Sequence, residues 1–255
     1  MISKGKIREL SDYKKKKRCD EESVFVAEGV KICDEALAAK LPVRVVCATV
    51  SWFSQHPQLP PEAELFEVGD EALERLSSLK TPNEVWMLIG RDHPLPEGLP
   101  RSPLTLALDR LQDPGNMGTV IRTADWFGIR RIVCSPDTVS CYNPKVVQAT
   151  MGSLFRTEII YTDLPQWLSQ CGQPVYGALL DGDSVWKMEP LNDGLEAVLV
   201  IGNESQGLSP EVQACLTRRV AIPNPGGTAE SLNAGVACAI LTDELLRHSL
   251  GNHND

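Results

Sequence analysis

The 255-residue chain is long enough for one large or two ordinary domains, and its 42% hydrophobic content supplies a core for either. A formal net charge of -9 argues against a protein that coats nucleic acid without discrimination. No apolar run approaches the roughly 18 residues a membrane helix needs, and the N-terminal MISKGKIREL lacks the apolar core of a signal peptide; a cytoplasmic protein with no membrane partner is expected.

The charge is uneven along the chain. Residues 1–18 carry eight Lys or Arg against Glu9 and Asp12, a local +6 that leaves -15 for the remainder. The run Lys14-Lys15-Lys16-Lys17-Arg18 reads either as a solvated helix end or mobile arm, or as a patch that tracks phosphates with salt-sensitive affinity. Beyond it, strand and helix signals alternate. Ser23–Ala27 and Val43–Ala48 are short β-branched runs, and Val30–Ala39 between them has helical apolar spacing. Leu65–Val68 reads as a strand, Glu71–Leu79 as a helix and Glu84–Ile89 as a strand, which completes a small α/β unit. Four prolines between Arg91 and Pro103 then mark a linker at 96–103, so the expected domains are 1–95, with its basic arm 1–18, and 104–255.

From Leu104 onward strands are expected at 104–109, 130–134, 157–161, 175–180, 197–201 and 218–222, with helices between most of them. Near-continuous apolar strands such as AVLVI indicate a parallel sheet covered on both faces. Eight cysteines are scattered without C-x-x-C pairing or nearby histidines; they read as small buried hydrophobes in a reducing compartment, and no metal is implied.

Three stretches each run from an apolar strand into a Gly-containing polar loop and toward a helix: Leu104–Gly128, Leu199–Ser209 and Val220–Val236. In a parallel α/β sheet such loops lie at the carboxyl ends of strands, where ligands bind. The first holds only Gly115-Asn116-Met117-Gly118, short of the G-x-G-x-x-G of a dinucleotide site. The second has glycines at 202 and 207 but Leu208 where a Walker-type loop needs lysine.

Together the three stretches resemble the motifs of the SpoU (TrmH-like) branch of the SPOUT methyltransferases, which are RNA ribose 2'-O-methyltransferases. The first is Asp113-Pro114-Gly115-Asn116-Met117-Gly118 with Arg122-Thr123-Ala124; the second is Gly202-Asn203-Glu204 with Gly207-Leu208; the third is Ile222-Pro223 with Ser231-Leu232-Asn233. Asn143–Arg156 looks like the family's helix after the second strand, and the resemblance runs from Leu104 to near His248. Through Phe25-Val26-Ala27-Glu28-Gly29 the N-terminal unit resembles a ribosomal-protein-like RNA-binding domain. The resemblance implies a SPOUT domain whose parallel sheet carries a deep trefoil knot, which alternation alone would not suggest. It also implies bound S-adenosyl-L-methionine, a homodimer, and structured RNA as substrate. Ribosomal RNA is preferred over transfer RNA; an inactive RNA-binding assembly factor and a methyltransferase for a different RNA atom are the other readings.

By that resemblance Arg122 sits at the centre of catalysis and is assigned the role of base; because a guanidinium stays protonated under almost all conditions, it is expected to contact phosphate and target ribose and to stabilise the developing alkoxide whether or not it formally takes the proton. Asn116 suits holding Arg122 or the ribose, or capping the following helix; Glu204 suits anchoring Arg122 or Asn233, or capping amides. Ser231 and Asn233 stand where N-caps are usual and complete the catalytic set. Ala178, Gly202, Ile222 and Leu232 are expected to bind the cofactor. The chain departs from the family pattern at Asn224 in place of Met, at Ala234-Gly235 in place of Val-Ser, and in a 224–230 loop one residue longer; the glycine at 235 points to close packing, with a dimer contact as one site for it. Lys145 and Arg156 read as RNA contacts or solvated helix charges, and Trp126-Phe127 as core rather than as a base-stacking pair.

Overall fold

The computed structural model describes residues 2–79, 81–92, 95, 98, 102–189, 191 and 196–247. Most of the expected linker, with Pro94, Pro96 and Pro100, lies outside the described residues, as does everything from His248 onward. The chain forms two compact units, residues 1–96 with 142–155, and residues 97–141 with 156–255. Among the described residues no helix is long and apolar enough to cross a membrane.

The first unit contains α1 (Lys4–Ser11), α2 (Lys16–Glu21), β1 (Val24–Glu28), α3 (Val30–Ala38), β2 (Val43–Ala48), α4 (Val50–Gln55), β3 (Glu64–Glu67), α5 (Asp70–Leu76) and β4 (Val85–Gly90). Its sheet has the order β1-β4-β2-β3, antiparallel except for β2 with β3. One face, through Val24, Val26, Val45, Cys47, Trp86 and Leu88, packs with Leu10, Tyr13 and Leu73 from the helices. The basic run is folded: Lys14 ends a short 3-10 turn, and Lys16, Lys17 and Arg18 open α2. Lys15 pairs with Asp12 at 2.7 Å, Lys17 with Glu21 at 3.9 Å and Arg18 with Glu22 at 2.5 Å, so three of its five charges face a carboxylate.

The Phe25–Gly29 stretch has a structural reason for each of its polar and special residues. Buried Glu28 accepts from Ser77 Oγ at 2.5 Å and from the Ser78 amide at 2.9 Å, which pins the turn after α5. Gly29 has φ +97, and a Cβ there would meet Asn83 at 3.3 Å, so only glycine fits without strain.

The rest of the chain gives β5 (Leu104–Leu108), α6 (Pro114–Trp126), β6 (Arg131–Cys134), α7 (Pro144–Thr150), β7 (Glu158–Tyr161), α8 (Leu164–Gln170), β8 (Val175–Ser184), β9 (Ala197–Ile201), α9 (Pro210–Gln213), β10 (Arg218–Ala221) and α10 (Ala234–Leu246). The segment 142–155, with α7, belongs to the first unit, although its position in the sequence suggested the second domain. There Tyr142 and Phe155 lie 5.1 and 6.1 Å from the Phe25 ring, and the Gln148 side-chain amide donates to the Glu28 carbonyl.

In the second unit β10-β8-β9-β5-β6-β7 form a six-stranded, wholly parallel sheet. Alternation along each strand divides the core between its faces. Ala107, Val133, Val198 and Val200 pack with Leu164, Leu168 and Val212 of α8 and α9. Helices α6 and α10 pack on each other and on β6 and β9. Each fully buried aliphatic side chain of this kind contributes about 1.5–3 kcal/mol. Strand β8 runs four residues past its expected end at 180, because its pairing with β10 jumps: Arg219 faces Gly177 and Val220 faces Asp183, which leaves Ala178–Gly182 looped out of the ladder. A Cβ on Gly182 would lie 2.6 Å from the Val220 backbone, so the loop closes only on glycine.

All eight cysteines are free; six are buried and Cys171 and Cys215 are half-buried. Burial pushes the thiols of Cys47 and Cys238 up to about 12, which keeps them inert as packing groups.

Candidate active site

The first loop becomes a helix because Asp113 caps it, accepting from the Asn116 amide at 2.8 Å, while Pro114 occupies its first position. Gly128, at φ +67, closes the other end, with the Ile129 amide donating to the Ala124 carbonyl at 2.8 Å. Asp113, not Asn116, is therefore the cap. Asn116, only 6% exposed, is left with both ends of its amide to use elsewhere.

The second loop is a tight turn in which Asn203 and Gly207 exchange backbone hydrogen bonds at 3.1 and 3.0 Å. Gly202 is needed for this closure, since a Cβ there would lie 2.5 Å from Gly207 C. Asn203 Oδ1 accepts from the amides of Ser205 and Gln206 at 3.0 and 3.1 Å, which fixes the turn that carries Glu204.

The three motifs meet through side-chain amides. Asn116 Nδ2 donates to Glu204 Oε1 at 2.9 Å, and Asn233 Nδ2 donates to Asn116 Oδ1 at 2.7 Å. Asn233 Oδ1 in turn caps α10 by accepting from Gly235 and Val236 at 3.0 and 3.2 Å. Glu204 also accepts from the Asp113 amide at 3.1 Å and the Gln112 amide at 3.4 Å. Burial works to raise its carboxyl pKa, but these hydrogen bonds, from Asn116 first, outweigh it and hold the group below the usual glutamate range.

This geometry corrects the expected partners. Glu204 anchors neither Arg122 nor Asn233 directly; it holds Asn116, which holds Asn233. Arg122 is exposed and has no hydrogen-bond or ion-pair partner among the described residues. Ser231 lies exposed in the loop, two residues ahead of the cap that Asn233 supplies. Gly235 is explained within the chain: a Cβ would lie 2.9 Å from Thr119 of α6, so α6 and α10 approach closely there. The long third loop is organised by Asn224, whose Oδ1 accepts from Gly226 and Gly227 and whose Nδ2 donates to the Gly227 and Ala229 carbonyls.

Around the site the remaining expectations divide. Arg156 is committed to Asp125, with hydrogen bonds of 2.9 to 3.1 Å. Lys145 is exposed on α7 of the first unit. Trp126 is not core: it is 85% exposed, on the outer stripe of α6 that Gly115, Thr119 and Arg122 also occupy, whereas Phe127 is half-buried. Asp109 and Arg110 were not singled out from sequence, and Asn203 was named only within its motif, yet each bonds the strand-end loops together. An aspartate directly after an apolar strand was the available signal.

The four residues expected to bind cofactor sit at the carboxyl ends of adjacent strands. Ala178 opens the looped-out segment of β8, Gly202 follows β9, and Ile222 and Leu232 frame the loop after β10. Leu180 and Leu232 are 78% and 48% exposed, apolar side chains left uncovered on those loops.

Residues 103–243 match the SpoU rRNA Methylase family, and residues 4–86 match the MRM3-like substrate binding domain. The chain is 28% identical to the 23S rRNA (guanosine(2553)-2'-O)-methyltransferase RlmP of Bacillus subtilis over 254 residues, 96% of this chain and 98% of that one. A structure from Porphyromonas gingivalis assigned to the TrmH family of RNA methyltransferases superposes with TM-score 0.85 at 36% identity, covering 97% of this chain and 99% of its own. The AdoMet-bound rRNA methyltransferase of Sinorhizobium meliloti superposes with TM-score 0.84 at 26% identity, covering 97% and 96%. With its parallel sheet, its three joined loops and a family match over more than half its length, the chain belongs to the SpoU rRNA methylase family.

Proposed function

We propose that this protein transfers the methyl group of S-adenosyl-L-methionine to a ribose 2'-hydroxyl of ribosomal RNA. The observation that carries the reading is the Glu204–Asn116–Asn233 chain, which joins all three motif loops, together with Arg122, exposed and without a partner among the described residues, on the helix that the first loop opens. The cofactor supplies an electrophilic methyl group. The chain's own residues supply position: Ala178, Gly202, Ile222 and Leu232 frame its site, and orientation of bound reactants is worth several kcal/mol, up to about 7–11.

Arg122 is free to meet a phosphate and the target ribose, and its positive charge stabilises the developing alkoxide as the O–CH3 bond forms, the sulfonium S–CH3 bond breaks and the hydroxyl proton leaves to solvent. Asn116 holds the helix start against Glu204, and Asn233 brings the third loop and Ser231 to it. Ribosomal RNA is favoured because RlmP, a relative that matches nearly the whole chain, is a 23S rRNA methyltransferase, and because the first unit matches a substrate-binding domain. The same reading includes a cytoplasmic homodimer and a trefoil knot in the second unit. The strand order β10-β8-β9-β5-β6-β7 is compatible with the knot, and the uncovered Trp126 beside Arg122 supports a second copy on α6.

Nucleoside mass spectrometry of ribosomal and transfer RNA fractions, from cells with and without the gene, tests this. Loss of one 2'-O-methylated nucleotide from ribosomal RNA, restored by the parent protein and not by Arg122→Ala, is expected. Loss from the transfer RNA fraction alone moves the substrate to tRNA, and an unchanged profile overturns the reading.

A further inference from the structure

Among the described residues, four that are not glycine have positive φ: Ser23, Lys40, Arg110 and Met151. Ser23, Lys40 and Met151 follow α2, α3 and α7 within two residues, where a left-handed residue is an ordinary way to end a helix. Arg110, at φ +57, follows strand β5, so no helix end accounts for it. A left-handed arginine is strained relative to glycine and persists only where its surroundings hold it.

Apart from Ser135, which follows β6, those surroundings belong to the loops of the site. The Arg110 amide donates to Ser135 Oγ at 2.8 Å, and its turned carbonyl accepts from Asn203 Nδ2 at 2.8 Å. Its Nη1 donates to Gln206 Oε1 at 3.1 Å, while its buried Nε lies 3.3 Å from Asp109 Oδ1. Asp109 Oδ2 accepts from the Ser209 amide, just past the same turn. Arg110 thus grips Asn203 and Gln206, and Glu204 lies between them.

We propose that Arg110 is a positioning residue for the methyl-transfer site, retained at a strained backbone position because its carbonyl and guanidinium together set the 202–207 turn for the contact of Glu204 with Asn116. Its catalytic consequence rests on the methyltransferase reading above; its geometric consequence does not. The backbone and side-chain parts are separable. Arg110→Gly keeps the left-handed turn with less strain and removes the guanidinium, and Arg110→Lys keeps a cation without the planar fork.

The test compares parent, Arg110→Gly and Arg110→Lys by thermal unfolding, by amide hydrogen exchange at Gln112, Asp113, Ser205 and Gln206, and by single-turnover methyl transfer to ribosomal RNA from cells lacking the gene. Arg110→Gly is expected to melt no lower than the parent, to exchange at least about tenfold faster at those four amides, and to transfer at least about tenfold more slowly. S-adenosylmethionine affinity should change less than about threefold, and Arg110→Lys should recover part of the loss. Unchanged exchange in Arg110→Gly overturns the proposal. So does a fall in melting temperature with faster exchange throughout the sheet, which is what a general stabiliser of the fold gives. If the parent transfers no methyl group, the methyltransferase reading fails, and the exchange comparison still decides what Arg110 does to the turn.

Discussion

Asn116 Nδ2 lies 2.9 Å from Glu204 Oε1, a contact that spans 88 residues of chain and ties the helix start of the first motif to the turn of the second. Glu204→Gln replaces an acceptor-only group with one that presents its own donors to Asn116 and to two backbone amides. A cost of about 1–2 kcal/mol in unfolding free energy is expected, modest because the carboxylate is partly solvated, with a fall in turnover of about 10- to 100-fold. Denaturant titration and single-turnover kinetics on the same samples measure both; unaltered turnover would remove Glu204 from the site.

The lowered carboxyl pKa of Glu204 sets a pH dependence with a definite sign. The folded group ionises below its unfolded value, so its stabilisation is fully present above the ordinary glutamate range and is lost as pH falls through the folded pKa. Unfolding free energy measured from about pH 6 downward should therefore decline less steeply in Glu204→Gln than in the parent. Parallel curves would assign the acid sensitivity to other carboxylates.

Arg122 bears no structural load, since it is exposed and unpaired among the described residues. Arg122→Lys should leave the melting temperature within the effect of an ordinary surface change, about 0.5 kcal/mol, and lower turnover far more than cofactor affinity. Isothermal titration with S-adenosylmethionine beside a methyl-transfer assay separates the two quantities. Equal losses in both would count against a role at the ribose.

Trp126, 85% exposed, is the largest uncovered apolar group on α6. On the homodimer reading proposed above, Trp126→Glu is expected to shift the protein from dimer to monomer in sedimentation velocity while the circular dichroism spectrum is kept. A dimer of unaltered affinity would place the contact elsewhere.

Gly202→Ala would bring a Cβ to 2.5 Å from Gly207 C and 2.7 Å from the Leu208 amide nitrogen. The turn must open, at a cost of about 1–3 kcal/mol, and S-adenosylmethionine binding should weaken at least about tenfold by titration. Wild-type affinity would show that the turn is not part of the cofactor site.

Much of this was legible in the chain itself. The ten strands among the described residues fall within about two residues of their expected starts, because alternating or continuous apolar runs are local signals. The end of β8 was not legible, since Ala178–Gly182 leaves the ladder and has no alternation to read. The stripe of Gly115, Thr119, Arg122 and Trp126 was readable at helical spacing, yet aromatic residues next to a core helix suggest burial, and that prior prevailed over the phase of the helix. The motif residues were identified by resemblance, but their partners were not: that Asn116 joins Glu204 to Asn233, or that Asn203 leans on a left-handed Arg110, depends on contacts between loops far apart in sequence.

The return of residues 142–155 to the first unit has a consequence for how the protein is made. Phe25 packs against Tyr142 and Phe155, so the first unit is finished only after residue 155 has left the ribosome. By then β5, α6 and β6 are also free to pair, so the N-terminal unit has no period of independent maturation before its neighbour starts to fold. A fragment cut at residue 96 would keep α3 on its sheet but lose the aromatic partners of Phe25, and an apolar surface opened in this way favours aggregation.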